Sequence, residues 1–158
     1  MAALCCAGCG GGDERARTTA TTATTATTAV TGPAASCGTP SPIRLTDAGL
    51  EVQGRGVGAQ LWGLIMVRRF PIVAGPDVAK IVWRMTGEGP LRAAAFDPDG
   101  RPLRLAWGPD PHGGSTYHRP GEEWGVGYRL RERGCYRLTF TRAKGRAEVW
   151  LRIRPAGR

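Results

Sequence analysis

Lysine is almost missing from this chain. Lys80 and Lys144 are the only two, so the formal net charge of +9 is carried by arginine. A basic chain is drawn to nucleic acid, anionic lipid or acidic polymers, although an arginine bias also follows from codon usage alone. Long apolar runs are missing too. "LWGLIMV" (61–67) falls far short of the ~18 apolar residues of a membrane-spanning helix. There is no recognised nucleic-acid motif and no aromatic pair of the RNA-recognition type, so no nucleic-acid partner is expected. There is no nucleophile-elbow motif either, which weighs against a hydrolase of that kind. Cysteine is scarce, at five residues, and three of them fall within the first nine positions.

What is present divides the chain into three zones. Residues 1–9 are small, apolar and cysteine-rich, residues 10–42 are of low complexity, and residues 43–158 carry hydrophobic patterning. The middle zone holds "TTATTATTATTA" (18–29), with a period of three and no apolar stripe. Threonine is a poor helix former and nothing there offsets the entropy of ordering, so the zone reads as a disordered linker. About 27 residues of it span on the order of 30 Å as a flexible chain. Thr-rich stalks with proline are often O-glycosylated outside the cell; an unmodified linker fits the composition equally well.

The third zone reads as strands. In "AEVWLRIRP" (147–155), Ala147, Val149, Leu151 and Ile153 share one face, and Glu148, Trp150, Arg152 and Arg154 the other. "CYRLTFTR" (135–142) opposes Tyr136, Leu138 and Phe140 to Arg137, Thr139 and Thr141, and Cys135 falls on the polar side. Val126, Tyr128 and Leu130 alternate with Arg129 and Arg131; Ile81, Trp83 and Met85 alternate with Lys80, Val82 and Arg84. This is the period of two that marks a half-buried antiparallel strand. "PLRAAAFDPDGRPLRLAWG" predicts a hairpin turning at "DPDG". "VGAQLWGLIMV" predicts a central strand, and "IRLTDAGLEVQ" one or two short ones. About seven to nine strands with turn signals every 8–12 residues predict an all-β fold, an immunoglobulin-like antiparallel β-sandwich, with a small barrel as the alternative.

The cysteines bear on location. Cys6-Ala-Gly-Cys9 matches C-x-x-C, but a zinc site wants four ligands and no second pair exists. "CCAGC" instead resembles the lipobox of bacterial lipoprotein signal peptides. Ala7 and Gly8 are small, Cys9 is the lipid acceptor, and the polar "GGGDERAR" follows. Cys6 stands where leucine is usual, and Cys6 or Cys5 is an alternative acceptor. A signal peptide also needs a charged start and a 7–15-residue apolar core, for which the residues before Cys9 leave no room. Cys37 and Cys135 are either bridged, closing a loop of about 100 residues in an oxidising compartment, or two unrelated thiols.

"VWRMTGEGPL", "AWGPDPHGGSTYHRPGEEWGVGY" and "GCYRLTFTR…GRAEVWLRI" together resemble a group of uncharacterised extracytoplasmic lipoproteins of high-GC bacteria. The resemblance covers roughly residues 60–154. It implies a cell-envelope location, lipid anchoring to the membrane and a non-catalytic sandwich domain, and it carries no ligand.

Chemistry, if present, is expected in 107–125, which reads as one long loop and holds both histidines. Ser115, His118 and Asp110 are the residue types of a catalytic triad, without its motif. His112 and His118 with Asp110 or Glu122 could hold zinc or copper, and Trp107, Tyr117 and Trp124 could stack on sugar rings or simply pack. The expectation is no enzyme, no metal and no cofactor. Trp107, His112, Tyr117, His118 and Trp124 are the ligand-binding candidates. Arg129, Arg131, Arg133, Arg137, Arg152 and Arg154 would form one basic sheet face if their strands pair, facing anionic lipid or a cell-wall polymer. The lipobox reading places the true start upstream of Met1. In-frame translation of the upstream DNA is expected to show a basic start and an Ala/Leu run; a stop codon immediately before Met1 would rule this out.

Overall fold

A computed structural model describes residues 39–156, and all of its regular structure is β. Eleven strands follow one another: β1 (Ile43–Thr46), β2 (Gly49–Gln53), β3 (Arg55–Val57), β4 (Leu61–Met66), β5 (Val78–Met85) and β6 (Arg92–Phe96), then β7 (Pro102–Leu103), β8 (Trp107–His112), β9 (Glu122–Arg129), β10 (Gly134–Thr141) and β11 (Arg146–Ile153). They form two antiparallel sheets. The first has the order β1-β2-β4-β5-β9-β8 and the second β3-β11-β10-β6-β7, and they pack as a β-sandwich. Cys5, Cys6, Cys9, Cys37 and most of the 10–42 segment lie outside the described residues.

The alternation read from β5, β10 and β11 is the burial pattern of those strands, with Trp83, Met85, Leu138, Phe140, Val149 and Leu151 turned inward. Each fully buried side chain of this size contributes roughly 1.5–3 kcal/mol. Trp83 crosses the core from the first sheet, and its ring lies 4.4 Å from that of Phe140 in the second. Room for it comes from Gly63 on the neighbouring strand, where a Cβ would sit 2.4 Å from the indole. The indole N–H donates to the buried Tyr128 hydroxyl at 3.0 Å, so the largest core side chain has its polar atom satisfied. Tyr136 closes the crossing from β9 to β10. Its hydroxyl donates to the Glu132 carbonyl (3.1 Å) and accepts the Glu132 N–H (3.0 Å), the tyrosine corner of Greek-key sandwiches.

Three expectations change. The 107–125 segment is not one loop, because Trp107–His112 is β8, paired to β9, and only 113–121 connects them. Strand β9 does not show one wet face, since Glu123 through Tyr128 are all buried. On its outer side Trp107 lies flat over Gly125 and Gly127, where a Cβ at Gly127 would come within 2.2 Å of the indole nitrogen. The single basic face also does not form. β9 belongs to the first sheet and β10 and β11 to the second, so Arg129 cannot share a face with Arg137 and Arg152. Arg137 sits on the outer face of the second sheet, its guanidinium 4.4 Å above Phe96 and 5.9 Å from Trp150. Arg129, Arg131, Arg133, Arg152 and Arg154 gather instead at one end of the sandwich, where β9 ends, β10 begins and β11 ends.

Tyr128→Phe removes the acceptor of the Trp83 N–H and leaves a buried donor unpaired. The expected loss of stability is about 1–3 kcal/mol, read from urea unfolding. A loss within error of zero would show that the Trp83–Tyr128 bond is not part of what holds the core.

Candidate functional site

Segment 113–121 lies across the outer face of the first sheet and is pinned at both ends. Arg84 on β5 and Glu123 on β9 are register partners, and both side chains point outward. The Arg84 guanidinium donates to the carbonyls of Tyr117 (2.6 Å) and Gly121 (2.7 Å). Its contact with Glu123 is longer, at 3.4 Å. Glu123, buried, accepts the Ser115 hydroxyl at 2.6 Å on one oxygen and meets His112 Nδ1 at 2.5 Å on the other. A carboxylate oxygen accepts, so Nδ1 carries the proton of that contact and Nε2 is the ring's remaining polar atom. Ser115 Oγ also accepts the Tyr117 N–H at 3.2 Å.

The far anchor is on β2. Glu51 accepts the Tyr117 hydroxyl at 3.0 Å and a two-pronged contact from Arg119, at 2.6 and 2.9 Å. From β9 through β5 and β4 to β2 is three strand spacings, roughly 14 Å. The segment bridges that width with Tyr117 buried beneath it. Bidentate arginine–carboxylate pairs fix orientation as well as position.

A second arginine closes the same end of the sandwich from the core side. Arg142 is buried, donating to the carbonyls of Gly89 (2.8 Å) and Met85 (2.9 Å) and pairing with Glu122. Its guanidinium also lies 4.6 Å above the Trp124 ring. Between the two clamps is an open cavity of about 580 Å³ lined by Arg84, Pro90, His112, Ser115, Glu122 and Trp124, among others.

The candidates from the sequence are therefore distributed as follows. His112 lines the cavity and is tied to Glu123. His118 is exposed, with no hydrogen bond among the described residues, and does not meet Ser115. Trp124 belongs to the core, opposite Trp83, and Tyr117 is buried; Trp107 keeps a partly exposed face. Among the described residues no three His, Cys, Asp or Glu side chains are arranged to hold a metal ion. Glu51, Arg84, Arg119 and Arg142 were not legible as site residues. Arg84 was visible only as an outward position of an alternating strand, and its partners lie 33 to 39 residues away.

Compared with protein-family models, curated proteins and solved structures, the chain matches none of them. The fold and its clamps thus define a class, a β-sandwich with a clamped crossing segment.

Burial raises the phenols of Tyr117, Tyr128 and Tyr136 above their ordinary value, and for Tyr117 the Glu51 carboxylate adds to the effect. The folded chain then keeps protons that the unfolded chain releases above about pH 10. This stability is complete below that value and is lost as the pH rises toward the folded values. The urea midpoint is expected to hold steady to about pH 9 and to fall above about pH 10. Tyr117→Phe should lower the plateau by about 1–2 kcal/mol and make the alkaline fall shallower. A Tyr117→Phe profile that is parallel to the wild type throughout would contradict this.

Proposed function

We propose that the chain is a lipid-anchored, extracytoplasmic envelope protein whose β-sandwich is a non-catalytic binding, adhesion or scaffolding module. The observation that carries the non-catalytic part is the placement of Glu123. Its carboxylate stands between Ser115 and His112, so the imidazole that would take a serine proton is on the far side of an anion. A catalytic triad requires the opposite order, with the imidazole between hydroxyl and carboxylate. The polar groups of the crossing segment hold it down rather than converge on a reacting atom.

The anchoring part rests on the lipobox at Cys9 and the Thr/Ala linker. It gains support from the way the described chain begins. Ser41 donates its backbone N–H to the Trp150 carbonyl at 2.9 Å, and its hydroxyl accepts the Trp150 N–H at 3.1 Å. The linker therefore arrives along the outer edge of β11. Cys135 pairs in register with Arg152, on the outward side of β10, yet it is only 7% exposed. From Ser41, across β11 to Cys135 on β10, is two strands across and two residues along, roughly 12 Å. The four chain steps from Cys37 to Ser41 reach about 13 Å. A Cys37–Cys135 bridge is therefore within reach, and it would add roughly 4–5 kcal/mol by constraining the unfolded chain.

The cavity beside His112 favours a second reading, a small-ligand site for a carbohydrate or a metal. A thermal-shift series with divalent metals and wall oligosaccharides would support it by a shift that His112→Ala abolishes.

In a bacterial host, with the gene expressed together with its upstream DNA, a clickable fatty acid should label the wild type and not Cys9→Ala. Label retained in Cys9→Ala but lost in Cys6→Ala would move the acceptor, and no label in any form would sink the anchor. Under denaturing conditions without reductant, Cys37 and Cys135 should resist thiol alkylation; free alkylation of both would refute the bridge.

A further inference from the structure

The two ends of the sandwich differ in kind. The end with Arg84 and Arg142 is closed by ion pairs that each have one buried partner, Glu123 in one and Arg142 in the other. The opposite end carries most of the exposed large apolar side chains. Of the seven among the described residues, Leu45, Met66, Phe70, Val73 and Val78 are all there, with Leu45 81% and Phe70 54% exposed. Their positions follow from the topology. Met66 ends β4, Val78 begins β5, Leu45 lies near the end of β1, and Phe70 and Val73 are in the connection from β4 to β5. That connection is fastened rather than loose. The Ala74 N–H donates to the Arg154 carbonyl (2.9 Å), the Arg154 N–H to the Ile72 carbonyl (2.8 Å), and the Gly75 N–H to the Leu130 carbonyl (3.1 Å). Ile72 is buried beneath it, and an open cavity of about 690 Å³ runs between the connection and Leu130.

The same end is ringed by arginine. Arg68 and Arg69 are exposed within the connection itself. Arg129, Arg131, Arg133, Arg152 and Arg154 are exposed around it, and none of the seven forms an ion pair among the described residues. The acids nearby are fewer. They are Asp47, Asp77 and Glu132, with Asp97 and Asp99 already bound to Arg101.

Exposed apolar tips surrounded by unpaired cations fit one surface, the headgroup layer of an anionic bilayer. Apolar side chains enter the boundary between headgroups and acyl chains while guanidiniums meet phosphates. A linear polyanion would use the arginines and leave Phe70 and Met66 in water. We infer that this end of the sandwich docks on anionic membrane, with the β4–β5 connection as the inserting element. The inference deepens the envelope reading above by naming a partner for the module. The linker, arriving beside Trp150 on β11, is long enough to leave the domain free to turn this end toward the bilayer.

The test uses the full chain without its lipid, as Cys9→Ala. It is sedimented with phosphatidylcholine vesicles, with and without phosphatidylglycerol. Binding is expected only with phosphatidylglycerol and should weaken as salt is added. Arg68→Ser with Arg69→Ser should weaken it about fivefold for each arginine. Phe70→Ser should weaken it roughly tenfold. Arg92→Ser with Arg146→Ser, at the other end of the second sheet, should change nothing. In Phe70→Trp, the emission in excess of that of the five native tryptophans should shift to the blue on adding phosphatidylglycerol vesicles, which a residue serving only the fold would not show. The idea is overturned by equal binding to neutral vesicles, by no binding at all, or by an unshifted Phe70→Trp. Tighter binding to poly(glycerol phosphate) than to vesicles at equal phosphate, insensitive to Phe70→Ser, would overturn it in favour of a polymer. Because the vesicle assay omits the lipid, its failure is separate from failure of Cys9 labelling.

Discussion

The packing of the two sheets depends on the space above Gly63. Trp83 reaches from β5 into the gap left by that missing side chain, places its ring against Phe140 of the opposite sheet, and gives its one polar hydrogen to Tyr128. An indole of this size cannot be buried between sheets roughly 10 Å apart unless a neighbour gives way and its N–H finds an acceptor. Both conditions are met within three adjacent strands, β4, β5 and β9. Those strands form the middle of the first sheet, and the clamps of the crossing segment are attached to two of them.

Arginine serves two purposes here, and burial decides between them. Arg84 donates to the carbonyls of Tyr117 and Gly121 and Arg142 to those of Gly89 and Met85, and each has a carboxylate nearby. A planar guanidinium with five donors suits that role, whereas a lysine ammonium would offer fewer and less directed ones. At the opposite end the arginines are exposed and have no such partners among the described residues, so their charge is directed to solvent and to whatever surface approaches. The closed end and the open end are joined by β5 and β9, which run the full height of the sandwich. The proposed membrane contact and the clamped segment are thus at opposite ends of one rigid pair of strands.

Much of the fold was legible because a strand with one buried face writes a period of two into the sequence. β5, β10 and β11 follow it, and the turn at Asp97–Gly100 was marked by its proline and glycine. β8 was not legible, since "WGPDPH" has no alternation and two prolines, and it forms as an edge strand where missing N–H groups are tolerated. β9 read as half-wet because its outer positions are glycines and charges. What covers them is Trp107 and residues of the 113–121 segment, brought over by pairing that no local pattern encodes. Tyr117 and Trp124, both candidates for ligand contact, are buried too, Tyr117 beneath that segment and Trp124 because it faces the core.

By itself the sequence determined the strand periodicity, the all-β class, the separation of a low-complexity N-terminal zone from the patterned domain, and the arginine excess. These follow from composition and from the backbone's alternation, which are local properties. The assignment of β9 to one sheet and β10 to the other was decided only by the tertiary structure, and with it the fate of the arginines. Crossing between sheets costs no change in the alternating pattern, so six arginines that look like one face in the sequence become one mid-sheet residue stacked on aromatics and five at an open end. The partners of Glu51 and Glu123 were likewise fixed only by long-range pairing, because which carboxylate a distant arginine, serine or tyrosine meets depends on which strands become neighbours.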